Sequence, residues 1–576
     1  MTKLRPAGLI FILNIAFIAA VAQSPGYIAT INQQNHWVDS IFKRLSLNRK
    51  IAQLLFVRAH TNLGQRYEDS VAAVIEKEQL GGVVFFQGGP VRQAVLTNRY
   101  QSLSKVPLII AMDGEWGVGM RLDSTISYPY QMALGAIRDN TLIYKMGQYV
   151  AYDFKRLGMQ MNFAPDMDVN NNPNNPVINY RSFGDNKYNV AAKGIAYIQG
   201  MQNGGILTTA KHFPGHGDTD VDSHFDLPQL NFTTARLDSL EEYPFRQAIK
   251  AGISGVMVAH MNIPAMDSTK NLPSTLSRPI ITGVLKDSLG FKGLIVSDAM
   301  GMKGVVKFFP NGEADVRAFI AGNDILELSE NTVRAVKMIK KAIKDGKIDK
   351  KELDGRVKKI LAAKYWAGLN HYQPSNPDHI VEELNRVDAL SLQQQLADKA
   401  ITLLKDDATI QKLDPQKPTA IVSFGVAEFT VYQRELSKTF RNCKLFCIGK
   451  DVKPADSKGL LQELKGYDQI IIGIHDTRLR PASKLDYTDN VKTMIASLAA
   501  YHNTITAVFA NPYTIAGLPG IEKSGALLAC YQKEAPMQRA AAKIINGQIK
   551  AEGKLSVSVN ALFGNGAGIV RNITAL

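Results

Sequence analysis

The sequence predicts an α/β protein: a (β/α)8 TIM-like barrel followed by a smaller open parallel α/β sandwich domain. Eight short apolar runs alternate with helix-like stretches between about residues 49 and 329. Ionisable residues stand directly after several of those runs, and a second alternation follows a break rich in Pro and Asn. Parallel strands covered by helices on both faces read as continuous apolar runs rather than as alternating ones. In such barrels the C-terminal strand ends build the active site.

The runs, in order, are Ile51–Val57, Gly82–Phe86, Leu108–Met112, Gln160–Ala164, Ile206–Ala210, Gly255–Ala259, Leu294–Ser297 and Asp324–Leu328. Asp113, Asp166, Lys211-His212, His260 and Asp298 follow runs immediately or within two residues. Polar groups gathered there suit an enzyme, whereas a purely structural barrel would have to partner each of them. The barrel is assigned to residues 35–368 and a linker with a connecting helix to 369–394, the linker carrying Asn370, Pro374, Asn376 and Pro377. A helix-like segment, Ala389–Leu404, leads into a C-terminal domain over 395–562. Its strand candidates are Ala420–Phe424, Leu445–Ile448, Gln469–Ile474, Thr504–Phe509 and Ala526–Tyr531.

The first 22 residues read as a secretory signal: Lys3 and Arg5, an apolar run from Ala7 to Ala20, and an Ala20-Val21-Ala22 cleavage pattern. Export to the periplasm or beyond is expected, with no stable membrane insertion after cleavage. The three cysteines permit one bridge at most, so this is no disulfide scaffold. The net charge of +15 could suit an anionic polymer. No basic cluster interleaved with aromatics stands out, so nucleic acid is not the expected partner.

The segment Lys211–Pro228, KHFPGHGDTDVDSHFDLP, is the richest in chemistry. Pro214, Gly215 and Gly217 prevent a regular helix through its first half, which makes it a loop carrying ionisable groups. The same breakers undo the helical geometry that would make His212 and His216 a zinc pair, so no metal is expected. Asp222 and His224 stand two apart. A carboxylate on one imidazole nitrogen would fix the tautomer and raise the basicity of the other, giving a general acid/base. LIVSDAMGM, at 294–302, places Asp298 at the end of a strand with Gly301 free to turn. Taken alone, Asp298 reads as a helix N-cap. Beside an Asp/His pair it reads as the carboxylate that attacks an anomeric carbon while the acid protonates the leaving oxygen.

These segments closely resemble glycoside hydrolase family 3, in the β-N-acetylglucosaminidase branch that uses an Asp/His dyad in place of a glutamate acid. The resemblance runs from about residue 35 to 560. It implies Asp298 as nucleophile, His224 as acid/base and Asp222 as its partner, with no cofactor. By the same likeness Lys211 and His212 bind sugar hydroxyls, and MDGEWGVGMRL at 112–122 supplies Asp113 and Arg121. PVINYRSFGD, at 176–185, resembles the segment whose arginine, here Arg181, contacts the N-acetylated sugar. One departure is Trp116, which stands where the family has the first of two glycines; it reads equally as a sugar platform or as packing.

The resemblance implies a retaining exo-acting β-N-acetylglucosaminidase acting on terminal β-linked N-acetylglucosamine, with peptidoglycan fragments as the expected source. A neutral histidine base would also tolerate phosphate in place of water in the second step. The alternatives are a β-glucosidase of the same family, against which the Asp222/His224 pair argues, and a wall-binding protein that has lost catalysis. Residues 395–560 carry no motif that converts to chemistry.

Overall fold

The computed structural model describes residues 26–571; the signal-like segment 1–22 lies outside them. The barrel strands are β1 Leu55–Ala59, β2 Gly82–Phe85, β3 Ile109–Met112, β4 Met161–Asn162, β5 Leu207–Phe213, β6 Gly255–Val258, β7 Leu294–Ser297 and β8 Leu326–Glu327. Each predicted run overlaps one, but β1 extends past its run to Ala59 and β5 continues through Phe213. Lys211 and His212 therefore belong to the strand, and the loop begins at Pro214. Neighbours are parallel throughout. β8 pairs with β1 on one side and meets β7 through a Val296↔Ile325 bridge on the other, which closes the ring.

Close helix contacts rest on small residues. Helices Asn140–Arg156 and Lys187–Asn203 cross where Gly147 meets Gly200, and a Cβ on Gly200 would lie 2.1 Å from the Tyr144 carbonyl oxygen. Only glycine permits that approach.

The C-terminal sheet contains β9 Thr402–Asp406, β10 Thr419–Phe424, β11 Cys443–Ile448, β12 Gln469–His475, β13 Thr504–Phe509 and β14 Ala526–Ala529, in the order β11-β10-β12-β13-β14-β9. It is parallel except at β9, which runs antiparallel to β14 and covers that edge. The predicted helix through Leu404 therefore stops early, at Ala400. Ile401-Thr402-Leu403-Leu404 is apolar and β-branched, and pairing with β14 outweighs its continuation of the helical pattern.

The two domains share one apolar core, which runs from Met132 and Phe183 beside the barrel to Tyr531 and Leu555 in the second domain. Gln532 accepts from the Tyr130 amide at 2.7 Å, and the Tyr513 hydroxyl accepts from Asn170 at 3.0 Å. The chain beyond β14 returns to the barrel, where Ser556 Oγ donates to the Met132 carbonyl at 2.8 Å. All three cysteines are free thiols.

Candidate active site

A cavity of about 1050 Å3 opens at the C-terminal ends of the barrel strands. Asp113, Arg121, Arg181, Lys211, His212, Asp222, His224 and Asp298, dispersed over 186 positions of sequence from first to last, all line it.

Its floor is a buried ionic network. Lys211, on β5 and 2% exposed, donates to Asp113 Oδ1 at 2.7 Å and reaches Glu115 at 2.9 Å. Arg121 takes the other Asp113 oxygen at 2.6 Å. Arg181 grips Glu115 with two nitrogens, Nε at 3.0 Å and an Nη at 2.7 Å. Burial works against both carboxylates, but the facing cations win and hold Asp113 and Glu115 well below the usual carboxylate range. A fixed set of ion pairs results, oriented before any ligand arrives.

His212 sits beside this network. Its Nδ1–H donates to Asp168 Oδ2 at 2.8 Å, which directs Nε2 toward the Arg181 guanidinium at 3.4 Å. The other Asp168 oxygen accepts from the His216 amide at 2.7 Å. Asp166, two residues earlier, is fully buried and its Oδ2 has no hydrogen-bond partner. Burial first, then the charge of Asp168, pushes its carboxyl well above the ordinary range. Asp166, Asp168 and His212 bring ligand-capable atoms within 4.8 Å of one another. The Arg181 guanidinium 3.9 Å from Asp166 Oδ2 and the His212–Asp168 bond make that cluster a poor cation site.

Glu115 and Asp168 were not singled out from sequence, yet a signal existed. Each follows a strand-end acid by two positions, in Asp113-Gly114-Glu115 and Asp166-Met167-Asp168. In the structure each pair meets one cation or imidazole, Asp113 and Glu115 at Lys211 and Asp166 and Asp168 at His212.

Asp298 follows β7. Its Oδ1 accepts from the Ala299 amide at 2.7 Å. The short helix Lys303–Val306 starts from Met302, so Asp298 is not its cap. Burial opposes ionisation here, but the facing imidazoles of His260, His212 and His224, with the Ala299 amide, hold Asp298 below its ordinary value. His260 braces the same turn. Its Nε2 lies 3.0 Å from the Ala299 carbonyl, which can only accept, so Nε2 carries a proton, and Nδ1 lies 2.7 Å from Thr275 Oγ1.

The dyad lies on the rim. Asp222 Oδ1 accepts from both Nδ1 and the amide of His224, at 2.7 and 2.9 Å. This fixes the imidazole so that Nε2 is free, and the ring is 61% exposed. His216 tethers the loop from beneath, bonded to Thr219 at 2.8 Å and to Ser223 at 3.2 Å; burial lowers it to about 4, so its ring is neutral. Gly215 and Gly217 allow close packing of the loop. A Cβ on Gly217 would lie 1.8 Å from the Val169 carbonyl oxygen, and one on Gly215 2.6 Å from the Glu241 Cβ.

Trp116 both lines the cavity and packs, its ring edge-on to Tyr130 at 4.8 Å. The C-terminal domain contributes the remaining wall, through Leu479–Lys484. This loop is pinned: Arg478 chelates Asp476 at 2.8 and 2.7 Å, and Ser483 accepts from Asn179 at 2.9 Å. The sequence shows no motif there because Arg480, Ser483 and Lys484 stand in an irregular loop at no spacing tied to a chemistry.

The chain is similar to known proteins along most of its length. Beta-hexosaminidase A of Pseudoalteromonas piscicida is 28% identical over 558 residues, covering 85% of this chain and 91% of its own. Beta-hexosaminidase LpqI of Mycobacterium tuberculosis is 30% identical over 334 residues, covering 56% and 83%. The structure of a glycoside hydrolase family 3 β-N-acetylglucosaminidase from Paenibacillus sp. str. FPU-7 aligns with a TM-score of 0.76 at 31% identity, over 90% of this chain and 99% of that one. Residues 46–363 match the model of the glycosyl hydrolase family 3 N-terminal domain, and the chain belongs to that family.

Proposed function

We propose that this glycoside hydrolase is a retaining, exo-acting β-N-acetylglucosaminidase that removes terminal β-linked N-acetylglucosamine from peptidoglycan fragments. The observation that carries the reading is one cavity holding an ionised carboxylate, Asp298, at a strand end and an Asp-oriented imidazole, His224, on its rim. A buried carboxylate faced by histidines is a competent nucleophile. An imidazole with its Nδ1 committed to a carboxylate offers Nε2 alone for proton transfer.

In the first step Asp298 attacks the anomeric carbon as the glycosidic bond breaks, and protonated His224 gives its Nε2 proton to the departing oxygen. In the second, neutral His224 takes a proton from water as that water displaces Asp298, which leaves as a carboxylate. The imidazole returns to its protonated form, and two inversions retain the configuration. Asp113, Arg121, Arg181, Lys211 and His212 hold the terminal sugar, so binding energy away from the reacting bond assists the transition state. Arg480 and Lys484 on the outer wall favour an anionic aglycone such as a peptide-bearing fragment. The signal-like N-terminus supports action outside the inner membrane.

The test is kcat/KM for 4-nitrophenyl β-N-acetylglucosaminide against the matching β-glucoside, with product configuration followed by NMR. Preference for the N-acetyl sugar with retention supports the reading. Preference for glucose transfers the chain to the glucosidase alternative, and inversion removes the covalent intermediate.

A further inference from the structure

Glu327, the last residue of β8, is a carboxyl that the mechanism above leaves unused. The Val296↔Ile325 bridge sets the register between β7 and β8, so two positions further on Asp298 and Glu327 stand at the same level on adjacent strand ends. Adjacent strands are ~4.8 Å apart. Glu327 is 4% exposed, and its remaining exposure is into the cavity. Its backbone is occupied: the amide donates to Ser297 Oγ at 3.0 Å and the carbonyl accepts from Met300 at 2.8 Å. Its carboxyl makes no hydrogen bond or ion pair among the described residues. The nearby Lys211 ammonium is already held by Asp113 and Glu115.

Two buried carboxyls side by side do not both ionise readily. Asp298 has the Ala299 amide and three facing histidines to stabilise its charge; Glu327 has no donor. Four charged groups bear most on Glu327. Asp113 beyond β3 and Asp298 beyond β7 disfavour its ionisation; Lys211 on β5 and Arg58 on β1 oppose them. Burial is the largest influence, and the carboxyl is held well above the ordinary glutamate range.

We propose that Glu327 is a specificity-determining residue of the terminal-sugar subsite, a neutral carboxylic acid whose O–H donates a hydrogen bond to a hydroxyl of the bound sugar. The floor otherwise offers carboxylates that only accept and cations that only donate. A protonated carboxyl does both, and it adds no second negative charge beside the nucleophile. This inference rests on the proposed reading only in taking the cavity as the seat of the terminal sugar.

The test compares Glu327→Gln, which keeps a neutral donor of the same shape, with Glu327→Ala. On 4-nitrophenyl β-N-acetylglucosaminide, whose leaving group departs without a proton, E327Q stays within about threefold of wild type near pH 6 and extends activity to higher pH. E327A raises KM about tenfold or more with a smaller change in kcat. Infrared difference spectra of wild type minus E327Q at pH 7 show a protonated-carboxyl C=O band, a readout independent of turnover. E327Q as impaired as E327A, an unchanged alkaline limb, or absence of that band overturns the proposal. Loss of the band with activity intact refutes Glu327 alone; failure of wild type on this substrate refutes the functional reading and leaves the band as the judge of Glu327.

Discussion

The floor of the cavity and its rim solve different problems with similar residues. On the floor, Asp113, Glu115, Arg121, Arg181 and Lys211 form a closed ionic network on strand ends and the loops that follow, with Glu115 fully buried and Lys211 nearly so. On the rim, Asp222 and His224 form one isolated pair on an exposed loop, tethered through His216 and Ser223. Floor charges are costly to bury and depend on one another, so removing one strands the rest. Rim charges are solvated, and removing one costs chemistry without costing the fold. On the proposed reading, rigidity is placed where the sugar is held and exposure where the proton is exchanged.

The largest effect is expected at the point where the two regions meet. Asp298→Ala should lower kcat/KM by several orders of magnitude, because both steps pass through that carboxylate. Azide in the assay should restore turnover and give an inverted glycosyl azide; retained activity without azide would end the nucleophile assignment. On the rim, His224→Ala should cost ~10^2 to 10^4-fold on substrates with poor leaving groups and much less on aryl glycosides. Its melting temperature should stay near that of the wild type. Equal losses on both substrate types would contradict the acid role.

On the floor, Glu115→Ala leaves Arg181 and Lys211 without their shared carboxylate. A loss of about 3–5 kcal/mol in stability is expected for breaking such a buried pair, together with weakened sugar binding. Denaturant unfolding and KM measured together check it. A Glu115 variant as stable as the His224 variant would erase the contrast between floor and rim.

The smallest effect concerns a buried acid away from the mouth. Asp153, on the helix Asn140–Arg156, is raised to about 8, mainly by burial, with Arg386 at 3.6 Å opposing. Its folded value lies above its unfolded one, so its contribution to stability is complete below about pH 4 and is lost as pH rises through about 8. Asp153→Asn should therefore raise the melting temperature more at pH 8 than at pH 5, by about 1 °C per kcal/mol recovered in a chain of this size. An equal shift at both values would show that Asp153 does not titrate between them.

Much of this was legible in the chain. All eight barrel strands announced themselves as apolar runs, because strands buried on both faces must be apolar throughout. Asp298 was visible as an acid directly after an apolar run, and Lys211 and His212 as ionisable groups that break one, although β5 carries both inside the strand. Other features were not. β9 hid at the end of a helical pattern, since pairing with β14 is a long-range event with no local signature. Glu115 and Glu327 gave at most weak local signals. Their roles depend on Arg181 and Lys211 in one case and on the register beside Asp298 in the other.

The sequence by itself determined the alternation that makes a barrel, the loop chemistry of residues 211–228 and the pairing of Asp222 with His224, all of which are local in the chain. Tertiary structure alone decided that β8 closes against β7 and so sets Glu327 beside Asp298, that Lys211 bridges Asp113 and Glu115, and that Leu479–Lys484 walls a cavity in the other domain. The physical reason is the same each time. A residue's charge state and reach depend on which groups surround it in space, and neighbours tens to hundreds of positions away in the chain leave no trace in its local pattern.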